Sequence, residues 1–92
     1  MKSTDKILEK YLNQQVIVDT NTNFVFIGTL VEMTPDYVLL QNADAHDITQ
    51  GSSSKERYLI ESKKYVVKIN RKEVLIRGDK VVSISLLEDL IV

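Results

Sequence analysis

The sequence contains no cysteine and a single histidine, His46. Disulfide frameworks, thiolate zinc sites and thiol catalysis are therefore excluded. It holds no nucleophile–base pair and no glycine-rich loop able to cradle a phosphate, so neither an enzyme nor a cofactor is expected. No hydrophobic run approaches transmembrane length. Met1-Lys2-Ser3-Thr4-Asp5 lacks the apolar stretch of a signal peptide, so the expected address is the cytoplasm. The 92 residues fit one small domain, 1–92, with a core too modest for a deep catalytic cleft. What is present is 43% hydrophobic and 27% charged, which excludes a wholly disordered chain.

The net charge of −1 argues against bulk attraction to polyanions, but it hides a polarised chain. Residues 1–54 carry three lysines against seven acids, and residues 55–80 carry nine Lys or Arg against four acids. Residues 81–92 add only Glu88 and Asp89. A basic segment of this kind can form a local anion-binding surface, though outward-facing charges on strands also serve solubility alone.

The opening segment predicts a helix over about 4–13, with Ser3 as N-cap, Asp5 in the first turn and Lys10 in the last. Ile7, Leu8, Tyr11 and Leu12 make one narrow apolar stripe and Asn13 is a fair stop. So short a helix must dock on something larger. From Val16 the period becomes two. Thr20-Asn21-Thr22-Asn23 then supplies a turn that Asn21 or Asn23 can close with a positive φ. Phe24 to Val31 is apolar on both faces, with Gly28 placed to bend the strand. Thr34-Pro35-Asp36 makes the next turn and Tyr37 to Leu40 the third strand. Residues 43–57 read as a long polar loop centred on Gly51-Ser52-Ser53-Ser54. Tyr58-Leu59-Ile60 and Tyr65 to Ile69 regain strand character, while Asn70 to Glu73 fits a turn, a bulge or part of one long strand. Gly78-Asp79 is a tight-turn signal, and Val82, Ile84 and Leu86 alternate with Ser83 and Ser85. The expected fold is mainly β: a short N-terminal helix and a strongly bent five-stranded antiparallel sheet.

Leu75-Ile76-Arg77-Gly78-Asp79-Lys80-Val81-Val82-Ser83-Ile84 resembles the second signature motif of the Sm and Sm-like (LSm) proteins. That motif is an aliphatic residue, Arg or Lys, Gly, two polar positions and two spaced aliphatics. The first Sm motif is echoed by Val16, Val18, Gly28-Thr29-Leu30 and Val38-Leu39-Leu40 with Ala43 after it. Val16 to Leu40 also matches the spacing of the bacterial Hfq branch. The resemblance covers about residues 5–42 and 65–86. It implies a small SH3-like barrel that assembles into a hexameric or heptameric ring by edge-strand pairing. Independently, Tyr65-Val66-Val67 and Val81 to Ile84 are expected as edges rich in β-formers, and closing a ring covers such edges.

The resemblance further implies single-stranded RNA, often U-rich, bound near the ring's opening, where a base stacks against the Arg that precedes Gly. Carried over by position, Arg77, Gly78 and Asp79 form the second turn of that site. In the first turn Thr34 stands at the family's Asp, Asp36 at its stacking residue and Tyr37 at its base-reading residue. A one-residue slip puts Tyr37 at the stacking position instead. The sequence departs from the pattern here, because an acid at the stacking position repels phosphate, and the Lys-His pair of the Hfq branch is absent.

Other features have plainer readings. Asp44, His46 and Asp47 are metal-ligand types, but such a trio in a polar loop is usually solvated, and no metal site is expected. Arg77-Gly78-Asp79 matches the integrin tripeptide, here a coincidence of a structural turn. Ser52 to Ser54 are phosphorylatable in type, though serine-rich loops chiefly provide flexibility. Tyr58 and Tyr65 could stack on bases, but tyrosines on strands more often pack. Three functions follow: an RNA-binding Sm-like ring, an Sm-like homo-oligomeric scaffold or protein-interaction module without RNA, and a monomeric SH3-like barrel recognising through loop 43–57.

Overall fold

Alternating apolar residues from Val16 to Val31 demand a sheet, and the absence of a polar face on the Phe24–Val31 run demands that the sheet be covered twice. A computed structural model describes residues 2–51 and 54–92, with side chains described from Lys6 onward. Its elements are α1 (Lys2–Glu9), β1 (Gln15–Thr20), β2 (Phe24–Met33), β3 (Tyr37–Asp47), α2 (Lys55–Lys64), β4 (Arg71–Arg77) and β5 (Val81–Leu86). One-turn 3₁₀ segments, Gly78–Lys80 and Leu87–Asp89, precede and follow β5. Among the described residues the strands form one five-stranded antiparallel sheet in the order β4-β3-β2-β1-β5, the expected mainly β fold.

The sheet bends where Gly28 meets the partner strand. Asn42 and Ala43 together oppose this one residue, and Asn42 takes a positive φ of 49° to accommodate the bulge. A Cβ on Gly28 would lie 2.8 Å from the Ala43 Cβ, so only glycine lets the two backbones approach this closely. The curl encloses Val16, Val18, Leu30, Val38, Leu40, Ala43, Ile76 and Leu86. Leu8, Tyr11 and Leu12 pack on that cluster, which is the docking the short helix requires.

The N-terminal helix is shorter than the sequence pattern suggested. It ends at Glu9, residues 10–12 form turns, and Asn13 stops it in the left-handed region at φ 62°. Ser3 falls inside the helix rather than at its cap, and the side chains of Ser3 and Asp5 lie outside the described residues. The β1–β2 turn is also closed differently, since neither Asn21 nor Asn23 has a positive φ. Threonine hydroxyls close it: Phe24 N–H donates to Thr22 Oγ1 at 3.0 Å, and Thr20 Oγ1 donates to the Phe24 carbonyl at 2.6 Å.

The largest correction concerns residues 43–64. The expected loop 43–57 is cut back at both ends: β3 runs on to Asp47, and α2 begins at Lys55. Tyr58-Leu59-Ile60, expected as a strand, is helical. Ser54 caps α2, its Oγ accepting from Arg57 N–H at 3.1 Å. Glu56 near the start and Lys63 and Lys64 near the end suit the helix dipole. Leu59 faces inward, with Ile17, Val25, Ile27, Val67 and Leu87, so α2 covers the second face of the sheet. Ser52 and Ser53 lie outside the described residues.

Tyr65 to Ile69 forms no strand. The free edge is Arg71–Arg77 instead, which takes in Arg71, Lys72 and Glu73 as strand. Asn70 extends the ladder, its N–H donating to the Ala43 carbonyl at 2.9 Å. In β5 a register shift beside Thr20 puts Val81 toward the core and leaves Val82 67% exposed, breaking the expected Val82–Ile84–Leu86 alternation.

α2 is tied down through a buried carboxylate. Asp44 accepts from Tyr58 Oη at 2.7 Å and from Asn70 Nδ2 at 3.0 Å. Burial first, then the bond to Asp44, push the Tyr58 hydroxyl far above its ordinary pKa of 10.0. Because the folded value is raised, the stabilisation is complete below pH 10 and is lost as pH rises toward the folded value. Tyr58→Phe is expected to cost about 1–3 kcal/mol at neutral pH by leaving one carboxylate oxygen unpaired. It should also flatten the alkaline decline in stability. Urea melts at neutral pH and at about pH 10.5 measure both effects.

Candidate nucleic-acid interface

The β2–β3 turn is built by Thr34. Its N–H donates to the Tyr37 carbonyl at 2.9 Å. Its hydroxyl accepts from Asp36 N–H at 3.1 Å and Tyr37 N–H at 3.2 Å. Pro35 presets φ at the first central position. The result is a rigid tip that offers Asp36 to solvent and starts β3 at Tyr37.

The β4–β5 turn locks onto this tip. Gly78 N–H donates to the Asp36 carbonyl at 2.7 Å. A Cβ on Gly78 would overlap the Pro35 carbonyl oxygen and lie 2.9 Å from the Asp36 carbonyl carbon. Gly78 is thus required by close approach of backbone to backbone, a tighter constraint than the turn itself. On its other side the turn is held by Asn21 N–H, which donates to the Lys80 carbonyl at 2.9 Å.

All five candidate residues meet here. Tyr37 lies opposite Arg77 in the β3–β4 register, which sets their side chains on the same face of the sheet. Arg77 Nη2 donates to Asp79 Oδ2 at 2.8 Å, with the two side chains 76% and 58% exposed. So exposed an ion pair contributes little and leaves the guanidinium free to exchange partners. The Glu32 carboxylate near the Tyr37 hydroxyl raises its pKa, with burial and nearby Asp36 acting the same way. A planar cation and a phenol on one platform can stack on a base, and the cation can neutralise a phosphate.

The trio Asp44, His46 and Asp47 does not converge. Asp44 is spent on Tyr58 and Asn70, and His46 stacks flat on the Tyr58 ring with centroids 3.8 Å apart. Asp47 accepts from the Thr49 hydroxyl and N–H, which lower its pKa. Among the described residues no three His, Cys, Asp or Glu side chains come together as metal ligands. Tyr58 packs rather than presenting a base platform, whereas Tyr65 is 79% exposed. The α2 contribution was missed by sequence reasoning, although Ser54 three residues before Arg57 and the Arg57–Glu61 spacing were its signals.

A short helix ahead of five strands curled into a small barrel, with the β2–β3 and β4–β5 turns joined, defines the Sm-like class of fold. Solved structures agree. The chain is similar to the Sm protein of Pyrococcus abyssii in complex with a uridine heptamer (TM-score 0.61, 22% identity, 88% of this chain and 93% of that one). It is similar to the P. aerophilum Sm heptamer (TM-score 0.62, 21% identity, 91% and 92%). It is also similar to a chain of the NatC complex bound to CoA (TM-score 0.57, 18% identity, 86% and 82%). No family model matches the sequence, and a search of the curated proteins finds no match either. The chain has the Sm-like fold.

Gly78→Ala is expected to force the two turns apart and lower stability by about 1–3 kcal/mol, because main-chain atoms cannot yield as side chains do. The amide of residue 78 should then exchange faster with solvent. Arg77→Ala, at an exposed position, should leave both readouts unchanged. Thermal melts and hydrogen exchange compare the two variants.

Proposed function

We propose that this chain is a ring-forming Sm-like protein that binds single-stranded RNA at its joined turns. The observation that carries the reading is the Gly78–Asp36 main-chain bond, which holds Arg77 and Tyr37 side by side on one surface. The Arg77 guanidinium is the base-stacking and phosphate-neutralising group, and Tyr37 is the neighbouring ring. Asp36 and Asp79 provide carboxylates that can accept from base edges, and Gly78 lets the two turns touch. The preference for uridine follows the Pyrococcus abyssii Sm protein, which was solved with a uridine heptamer.

Assembly is supported by the edges. β4 and β5 end the sheet with unpaired backbone, and they expose Leu75 at 62% and Val82 at 67%. Pairing β4 of one copy with β5 of the next covers both, and repetition around an axis closes a ring. The ring has six or seven copies, and the heptameric P. aerophilum Sm protein favours seven. Each copy adds one Arg77 to the shared opening, concentrating a positive charge that the net −1 conceals.

A second reading is a homo-oligomeric scaffold or protein-interaction module that does not bind RNA. It is favoured by the exposed Asp36 at the stacking position and by the likeness to a chain of the NatC complex.

A labelled oligouridine titrated by fluorescence anisotropy, alongside native mass, separates these readings. The RNA-binding ring predicts a mass of six or seven subunits and binding that weakens with salt. Arg77→Ala should reduce affinity about tenfold or more and flatten the salt slope while the mass stays the same. A multimer that ignores oligouridine at low salt selects the scaffold, and a mass of one subunit selects the monomeric barrel.

A further inference from the structure

The segment between α2 and β4, residues 65–70, leaves large apolar side chains in water: Tyr65 at 79%, Val66 at 62% and Ile69 at 56%. Around it Lys64, Lys68, Arg71 and Lys72 are exposed, and among the described residues none of the four has an ion-pair partner. Tyr65, Val66, Lys68 and Ile69 line a groove of about 630 Å³ that reaches down to Asp44 and Tyr58, and Glu61, the acid on its rim, is taken by Arg57. So contiguous an apolar patch marks a binding surface, and its basic border calls for an acidic occupant.

The stretch after β5 has the matching character. Leu87 is buried and Leu90 packs on the same cluster, so both turn inward. Lys63 Nζ donates to the carbonyls of Glu88, at 2.8 Å, and Leu90, which fixes this backbone against α2. What remains outward is Glu88, Asp89, Ile91 at 94% and Val92 at 62%. The basic strip and this acidic, apolar stretch are both exposed within one chain, so neither covers the other.

Strand direction brings them together between copies. β4 runs into the Gly78–Lys80 turn and β5 runs out of it. When every copy faces that turn to a common opening, β4 of one copy and β5 of the next run antiparallel. The Arg71 end of one then lies beside the Leu86 end of the other, on the outside of the ring. We propose that residues 88–92 of one copy seat on residues 64–72 of the next, an inference that rests on the edge-paired ring above. Ile91 and Val92 cover Tyr65, Val66 and Ile69, while Glu88 and Asp89 face the unpaired Lys and Arg side chains. Single-stranded nucleic acid suits the cations and Tyr65, but it offers nothing to Val66 and Ile69, so a second copy accounts for more of the surface.

Because the sequence has no cysteine, engineered pairs report contact without interference. Ile69→Cys with Ile91→Cys, in the full chain under oxidation, should give a ladder of covalent oligomers on a non-reducing denaturing gel. Each single variant should give no ladder. Lys68→Glu with Lys72→Glu should raise the half-assembly concentration about tenfold or more, and adding Glu88→Lys with Asp89→Lys should restore it. A wild-type native mass of one subunit overturns the ring and this contact with it. A multimeric mass with no covalent ladder overturns the contact and leaves the ring standing. If Lys68→Glu with Lys72→Glu weakens oligouridine binding and leaves assembly unchanged, the strip belongs to nucleic acid and the proposal fails.

Discussion

A five-stranded sheet that is apolar on both faces cannot stand in water uncovered, and most of this structure answers that constraint. β2 sends Val25 and Ile27 to one side and Phe26 and Leu30 to the other. Each such apolar side chain is worth about 1.5–3 kcal/mol when fully removed from water, so neither face can be neglected. The bend at Gly28 folds one face onto itself, and Leu8 of α1 with Tyr11 and Leu12 after it closes its open end. The second face has no strand left to cover it, and α2 takes that place. It is held at one end by Lys55 on the Asp19 carboxylate and at the other by Lys63 on the 88–90 carbonyls. The insertion between β3 and β4 is therefore part of the core, and the groove beside it is a consequence of how it packs.

The joined turns follow from the same curl. Bending brings the β2–β3 tip beside the β4–β5 turn, and the absence of a side chain on Gly78 lets the backbones touch. The chemistry carried there is mixed in sign. Arg77 is balanced by Asp79, while Asp36 stands alone at the tip. An exposed pair of this kind is worth about 0–1 kcal/mol, so a phosphate can take Arg77 from Asp79 at small expense. Rigid backbone with a loosely engaged cation suits recognition of a ligand whose shape varies, since only the platform need be preorganised.

The bent sheet and the joined turns were legible in the sequence because their signals are local or carried by motif. Alternation from Val16, the punctuation at Pro35 and Gly78, and the Ile76-Arg77-Gly78 pattern each act within a few residues. Residues 43–64 were misread for a physical reason. A polar run with one glycine and three serines looks like a loop, and Tyr58-Leu59-Ile60 looks like a strand. Only the sheet's uncovered second face, a property of the whole fold, makes a helix there necessary. The same holds for Asp44, whose burial among Tyr58 and Asn70 depends on residues 14 and 26 positions away. Gly78 was understood as a turn former, yet the backbone of Asp36 pressed against it is what excludes a side chain. The edge was displaced from Tyr65-Val66-Val67 to Arg71–Arg77 because the ladder to β3 begins only where Asn70 reaches Ala43.

The distribution of charge along the chain bears on how edges could meet. An antiparallel two-fold pairing of β4 with β4 would set Arg71 of each copy beside Arg77 of the other, cation against cation. The same pairing of β5 with β5 would bring Glu88 and Asp89 of each copy toward Asp79 of the other. Either arrangement opposes like charge, which is unfavourable across strands. Pairing β4 with β5 instead sets the basic segment against the acidic one, and a contact between unlike surfaces propagates until it closes or extends. The polarity from residues 55–80 to 81–92, which says little about any single binding site, therefore favours head-to-tail contacts over dimers. Along β4 the rise from Arg71 to Arg77 is about 20 Å. In the proposed ring a single paired edge then has Arg77 at its inner end and the proposed contact between copies at its outer end.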